Sequence, residues 1–163
     1  MPVELKVGDL APEFRGHAIG EKYGAGEIVS LGDFRGLAVV LYFYPKDDTP
    51  GCTIQACALR DAWGELSAYA HIFGISVDSV ATHEKFIKKY RLPFPLLSDA
   101  DKKIVNSYGI WVEKHMYGRK YMGIERSTFV VDAVGRISSI FRKVKPENHV
   151  TILRAALLDP ACC

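Results

Sequence analysis

The chain alternates between unbroken apolar runs and segments whose apolar positions fall at helical spacing, each change marked by proline, glycine or aspartate. Residues 37–44 (LAVVLYFY) are β-branched and aromatic with no polar break, the pattern of a central strand covered on both faces. Residues 45–51 (PKDDTPG) read as a turn. Beyond them Ile54, Ala58, Ala62 and Leu66 recur at four-residue spacing, so a helix is predicted to open near Cys52 and to hold it in the first turn. Residues 71–77 (HIFGISV) read as a second buried strand, 82–90 as a helix halted by Pro93 and Pro95, and 96–98 as a short strand. Asp99 or Asp101 can cap a brief helix through Tyr108, and 126–131 and 136–143 flank a hairpin loop at 132–135. A helix from Pro146 or Glu147 to Leu158 ends the pattern. Upstream, Pro12, Gly16, Gly20, Gly24 and Gly26 point to a short β-hairpin and a loop. Strands alternating with helices define a mixed α/β plan. A helix that follows a central strand starts at the carboxyl edge of the sheet, where active sites gather.

Composition narrows the function classes. The 163 residues suit one domain with one core, with positions from about 160 onward a short tail. A hydrophobic share of 48 % against 25 % charged excludes disorder, collagen-like repetition and a coiled coil. Twenty-one basic against nineteen acidic residues leave a net charge of +2, too small and dispersed for dedicated binding of nucleic acid or an anionic membrane. The apolar run at 37–43 is far shorter than the ~20 residues of a membrane span. The opening residues (MPVEL) lack the charged-then-apolar pattern of a signal peptide, so a cytoplasmic location is expected.

Four cysteines are too few for a disulfide scaffold, and in a reducing compartment a close pair points to redox or metal chemistry. Cys52 at a helix start would meet unpaired amides and the positive end of the helix dipole, which favour the reactive thiolate. Thr49, three residues before it, could hydrogen-bond the sulfur or a substrate, while Pro45 and Pro50 restrict the loop. Taken alone, Cys52 reads equally well as a cysteine of a helix cap, Cys57 as a small buried residue, and Arg126 as half of an ion pair. Five helical residues separate Cα atoms by roughly 8.6 Å, beyond the ~7 Å reach of a disulfide, and set the two side chains about 140° apart around the axis. Cys57 is therefore expected to face partly inward and Cys52 the site's mouth, and a bond between them would need the first turns to unwind.

The segment YFYPKDDTPGCTIQACALRD resembles the active-site segment of peroxiredoxins, in the bacterioferritin-comigratory-protein or Q-type branch. The stretches at 94–99 (FPLLSD) and 116–132 (MYGRKYMGIERSTFVVD) resemble the same branch, and the likeness extends from Gly8 to the last helix. It implies a thioredoxin-like fold with an N-terminal β-hairpin and insertions. It also implies a thiol peroxidase for hydrogen peroxide and organic hydroperoxides that uses no metal, haem or flavin. Cys52 would be the nucleophile that becomes a sulfenic acid. Pro45 and Thr49 would complete its PxxxTxxC pocket, and Arg126 would be the site's arginine. Cys57 would be the resolving cysteine, with thioredoxin or glutaredoxin as reductant and a monomer as the expected state. Gln55 stands where an acidic residue is also common. The terminal Cys162-Cys163 pair has no counterpart in the motif and reads as an exposed tail.

Other chemistries lack their residues. No motif ties His17, His71, His83, His115 or His149 to Cys52 as a base, and His83 is expected on a solvated helix face. The Cys52 to Cys57 spacing is too wide for a CxxC zinc or disulfide-reductase motif. The glycines at 24, 26, 118 and 123 complete neither a dinucleotide fingerprint nor a P-loop. A peroxide sensor or redox-regulated holdase would use the same cysteine and remains the alternative reading.

Overall fold

The computed structural model describes residues 4–24 and 26–158; Cys162 and Cys163 lie outside them. Seven strands form one sheet in the order β2-β1-β5-β4-β3-β8-β9. These are β1 (Arg15–Ile19), β2 (Glu27–Ser30), β3 (Ala38–Phe43), β4 (Ala70–Ser76), β5 (Leu96–Ser98), β8 (Ser127–Val131) and β9 (Ile137–Phe141). A separate hairpin joins β6 (Trp111–Met116) to β7 (Arg119–Ile124). The helices are α1 (Pro50–Asp61), α2 (Trp63–Leu66), α3 (Val80–Tyr90), α4 (Lys103–Ser107) and α5 (His149–Leu158). None is long and apolar enough to cross a membrane. The expected α/β order holds, including the N-terminal hairpin (β1 with β2) and the β8–β9 hairpin.

The unbroken apolar run is explained by a core on each face of the sheet. Along β3, Val39, Leu41 and Phe43 enter one core while Val40 and Tyr42, with Tyr44 beyond the strand, enter the other. That alternation is the pleat itself, with no polar face to mark it. The second core carries Cys52, Ala56, Leu59, Phe86 and Leu153 from α1, α3 and α5. Tyr42 lies flush with β4 because Gly74 is opposite it; a Cβ at Gly74 would stand 2.7 Å from the Tyr42 hydroxyl.

The sheet is parallel through β3, β4 and β5, and antiparallel where β8 joins β3. In that register Phe43 pairs with Ser127. The chain therefore enters β8 beside the point where it leaves β3, and Arg126 arrives at the loop that opens α1.

Two expectations need correction. The helix does not continue to Leu66: it closes at Asp61, Ala62 takes φ −98° and ψ 2°, and α2 starts afresh. The buried stripe is Cys52, Gln55, Ala56 and Leu59, whereas Ile54 is 53 % exposed. Four-residue spacing caught Ala62 and Leu66, which are buried beyond the break, and missed the polar Gln55, which the site pulls inward. At α4 both predicted acids act. Asp99 accepts from the amides of Ile104 and Val105 and Asp101 from that of Lys103, although Lys102 occupies the cap position in a left-handed conformation.

His149 fastens α5 to the sheet. Its ring lies 5.1 Å from that of Tyr42, and its Nε2 is 3.0 Å from Thr128 Oγ1. Burial, aided by the Arg126 cation, lowers its pKa to about 3. The unfolded chain takes up a proton there below pH 6.5 and the folded chain does not, so this stability is complete above pH 6.5 and is lost as pH falls toward 3. The wild type should lose about 2 kcal/mol between pH 7 and pH 5 through this residue. Urea unfolding at the two pH values should show that loss shrinking in His149→Gln; an equal loss in both proteins would refute the assignment.

Candidate active site

Thr49 caps α1 in an extended conformation, and Pro50 fills the first helical position, where its missing N–H is no loss. Thr53 N donates to Thr49 O, 2.8 Å, as the helix begins. The Gly51 and Cys52 amides belong to the first turn, which has no i−4 carbonyl to donate to. Thr49 does not cap them with its side chain: its hydroxyl donates to Lys46 O at 2.9 Å, so it braces the loop instead of reaching the sulfur. Pro45 is half-buried directly after the sheet.

Arg126 closes the site from the opposite side. Its Nη2 lies 3.5 Å from Cys52 Sγ, and its Nη1 donates to Gln55 Oε1 at 2.6 Å. Gly51 makes room for it, since a Cβ there would stand 3.2 Å from Nη2 and 3.4 Å from the Pro146 ring. Among the described residues no carboxylate pairs with the guanidinium, while neighbouring Glu125 lies 3.9 Å from Arg142. The ion-pair reading of Arg126 thus gives way to a cation held against a sulfur. Gln55, on the buried stripe, is what aims it.

The expected orientation of the cysteines is reversed. Cys52 is 2 % exposed and packs into the second core, whereas Cys57 is half-buried. The turn of the helix that brings Cys52 and Gln55 toward Arg126 carries Cys57 toward the surface. Both are free thiols on an unbroken α1.

The structure adds groups that the residue pattern left unassigned. Lys114, from the β6–β7 hairpin, lines a surface depression of about 400 Å³ with Val112, Glu125, Arg126 and Lys143. Burial first, and then the Arg126 cation, lowers its pKa. On the inner side the Tyr42 hydroxyl is buried without a partner among the described residues, and desolvation raises its pKa well above the ordinary value, with the charges of Asp47 and Cys52 adding to the effect. His83 is wholly buried, not on a solvated face, and lies 2.6 Å from Asp47. Helical spacing gave no sign of this, because its acid comes from a distant loop.

Residues 7–140 match the AhpC/TSA family. The chain is 49 % identical over 149 residues to a bcp homologue of Coxiella burnetii, covering 91 % of this chain and 95 % of that one. It is 44 % identical over 158 residues to peroxiredoxin Bcp of Bacillus subtilis, covering 95 % and 96 %. A Xanthomonas campestris bacterioferritin comigratory protein, solved in a study of its alkyl peroxide reduction, superposes with a TM-score of 0.81 at 34 % identity, covering 92 % of each chain. A helix-start cysteine facing an arginine, on a thioredoxin-like sheet and with these relatives, makes the chain a member of the AhpC/TSA family, a peroxiredoxin of the Bcp or Q type and hence a thiol peroxidase.

Proposed function

We propose that the chain reduces hydrogen peroxide and organic hydroperoxides with Cys52 as nucleophile, Cys57 as resolving thiol and thioredoxin, or a glutaredoxin, as reductant. The observation that carries this reading is the 3.5 Å approach of Arg126 Nη2 to Cys52 Sγ in the first turn of α1. A permanent cation and first-turn amides stabilise the thiolate and the oxygen that gains charge as the peroxide bond breaks. The thiolate attacks one peroxide oxygen; an S–O bond forms, the O–O bond breaks, and the departing alkoxide or hydroxide takes a proton. Cys52 is left as a sulfenic acid, oxidised by two electrons. The hydrogen of the Thr49 hydroxyl is committed to Lys46 O, so its oxygen is free to accept the peroxide O–H. Pro45 walls the loop against water.

Cys57 thiolate then attacks the Cys52 sulfur and hydroxide leaves as water, giving an intramolecular disulfide that a dithiol reduces. Its half-exposed position suits that second role. With α1 intact the two Cα atoms stand roughly 8.6 Å apart, so the first turns must open before the bond closes. Helix ends open locally at low cost. The alkyl peroxide activity of the Xanthomonas campestris relative supports the substrate class. We propose further that the protein acts in the cytoplasm as a monomer, as the family resemblance implies.

Cys52→Ser should abolish peroxide consumption; retained activity would remove Cys52 as nucleophile. Cys57→Ser should keep the first oxidation, lose thioredoxin-driven turnover and accumulate sulfinic acid by mass spectrometry. Arg126→Ala should slow Cys52 oxidation in stopped-flow fluorescence by about 10²–10³-fold, the usual effect of removing one charge-stabilising donor. An unchanged rate would exclude Arg126 from the peroxide step.

A further inference from the structure

Asp47, in the loop between Pro45 and Thr49, is 5 % exposed, and His83 of α3 is wholly buried. His83 Nδ1 lies 2.6 Å from Asp47 Oδ2, and its Nε2 lies 3.0 Å from Leu97 O. A carbonyl oxygen only accepts, so Nε2 carries a hydrogen. A carboxylate also accepts, so the 2.6 Å contact holds a second hydrogen between ring and acid. The Tyr44 hydroxyl donates to Asp47 Oδ1 at 2.6 Å. The Asp47 amide donates to Asp78 Oδ2 at 2.8 Å, and Ser76 Oγ donates to that same oxygen at 2.7 Å. Asp47, Asp78 and His83 have ligand-type atoms within 4.8 Å of one another, but both nitrogens of His83 and both oxygens of Asp47 are already taken up within the protein.

We infer that His83 is a positioning residue for the peroxide-reactive thiol: through Asp47 it fixes the loop that ends in the Thr49 cap, and it compensates the buried carboxylate of that loop. The inference rests on Cys52 being the nucleophile. Two observations tie the pair to the site. Asp47 stands in the eight-residue stretch, 44–51, that leads from β3 to Cys52, and Tyr44, whose hydroxyl it accepts from, packs in the same core as Cys52. Without His83, the buried Asp47 carboxylate would be left without its ring partner in the loop that delivers the thiol, in an interior that water does not screen. The neighbouring latch from Asp48 to Lys89 and Tyr90, at 2.8 and 2.7 Å, ties the same loop to the far end of α3, but it is exposed and adds little.

The test uses the full chain and two readouts: the pH profile of Cys52 alkylation by iodoacetamide in a Cys57→Ser background, and stopped-flow oxidation by hydrogen peroxide at pH 7. His83→Gln should move the alkylation profile up by about one pH unit and slow oxidation about tenfold. Adding Asp47→Asn removes the stranded carboxylate and should bring the profile back toward that of the parent. A purely structural pair would lower thermal stability and leave the profile where it was, and that result in folded His83→Gln overturns the inference. If His83→Gln does not fold, Tyr44→Phe decides: loss of one donor to Asp47 should slow oxidation, and an unchanged rate overturns the inference. Cys52→Ser isolates the underlying reading, because peroxide consumption surviving there faults the nucleophile and not His83.

Discussion

The guanidinium of Arg126 meets the sulfur of Cys52 across 74 positions of sequence, and the sheet is what brings them together. The antiparallel pairing of β8 with β3 sets Ser127 opposite Phe43, so the residue before β8 falls beside the loop that β3 feeds. A one-residue slip of that register would exchange the faces of β8, sending Thr128 and Val130 into the wrong core. The apolar residues that fix the register thereby also fix the distance between cation and thiol.

Around this contact the polar groups fall into two classes. Some are tightly held: Gln55 Oε1 by Arg126, Asp47 by Tyr44 and His83, Thr49 by Lys46. Others are buried with no partner among the described residues, including Gln55 Nε2, Tyr42 OH and Ser127 Oγ. Each such atom costs about 1–3 kcal/mol of desolvation. Gln55 bonds Arg126 and Ser127 follows it in the chain, and unpaired polar atoms at such a place suit a site shaped for a reaction and not for maximal stability.

Much of this was legible in the residues. β3, β4 and the opening of α1 at Cys52 followed from an uninterrupted apolar run, a proline- and glycine-marked turn and the absence of a polar break. The family motif pointed to Arg126, which periodicity could not have found. What failed depends on tertiary partners. The inward face of α1 includes Gln55, a residue no hydrophobic pattern counts, because its amide serves Arg126. The β6–β7 hairpin was left unassigned since Lys114, His115, Met116 and Tyr117 form no alternating stripe; most of the hairpin is exposed on both faces. His83 looked solvated because its partners Asp47 and Leu97 come from two other segments.

The interruption at Ala62 bounds any rearrangement of the thiol-bearing helix. Arg60 donates to Tyr90 O at 2.7 Å, and the next helix, α2, is linked to α5 by Arg154 and Glu65. Upstream, Asp47 is anchored in the interior. A dozen residues thus lie between two fixed posts. In the proposed cycle, melting of this short span would join and part the sulfurs without disturbing the remaining scaffold, so that the molecule would pass through many redox cycles with its sheet unaltered.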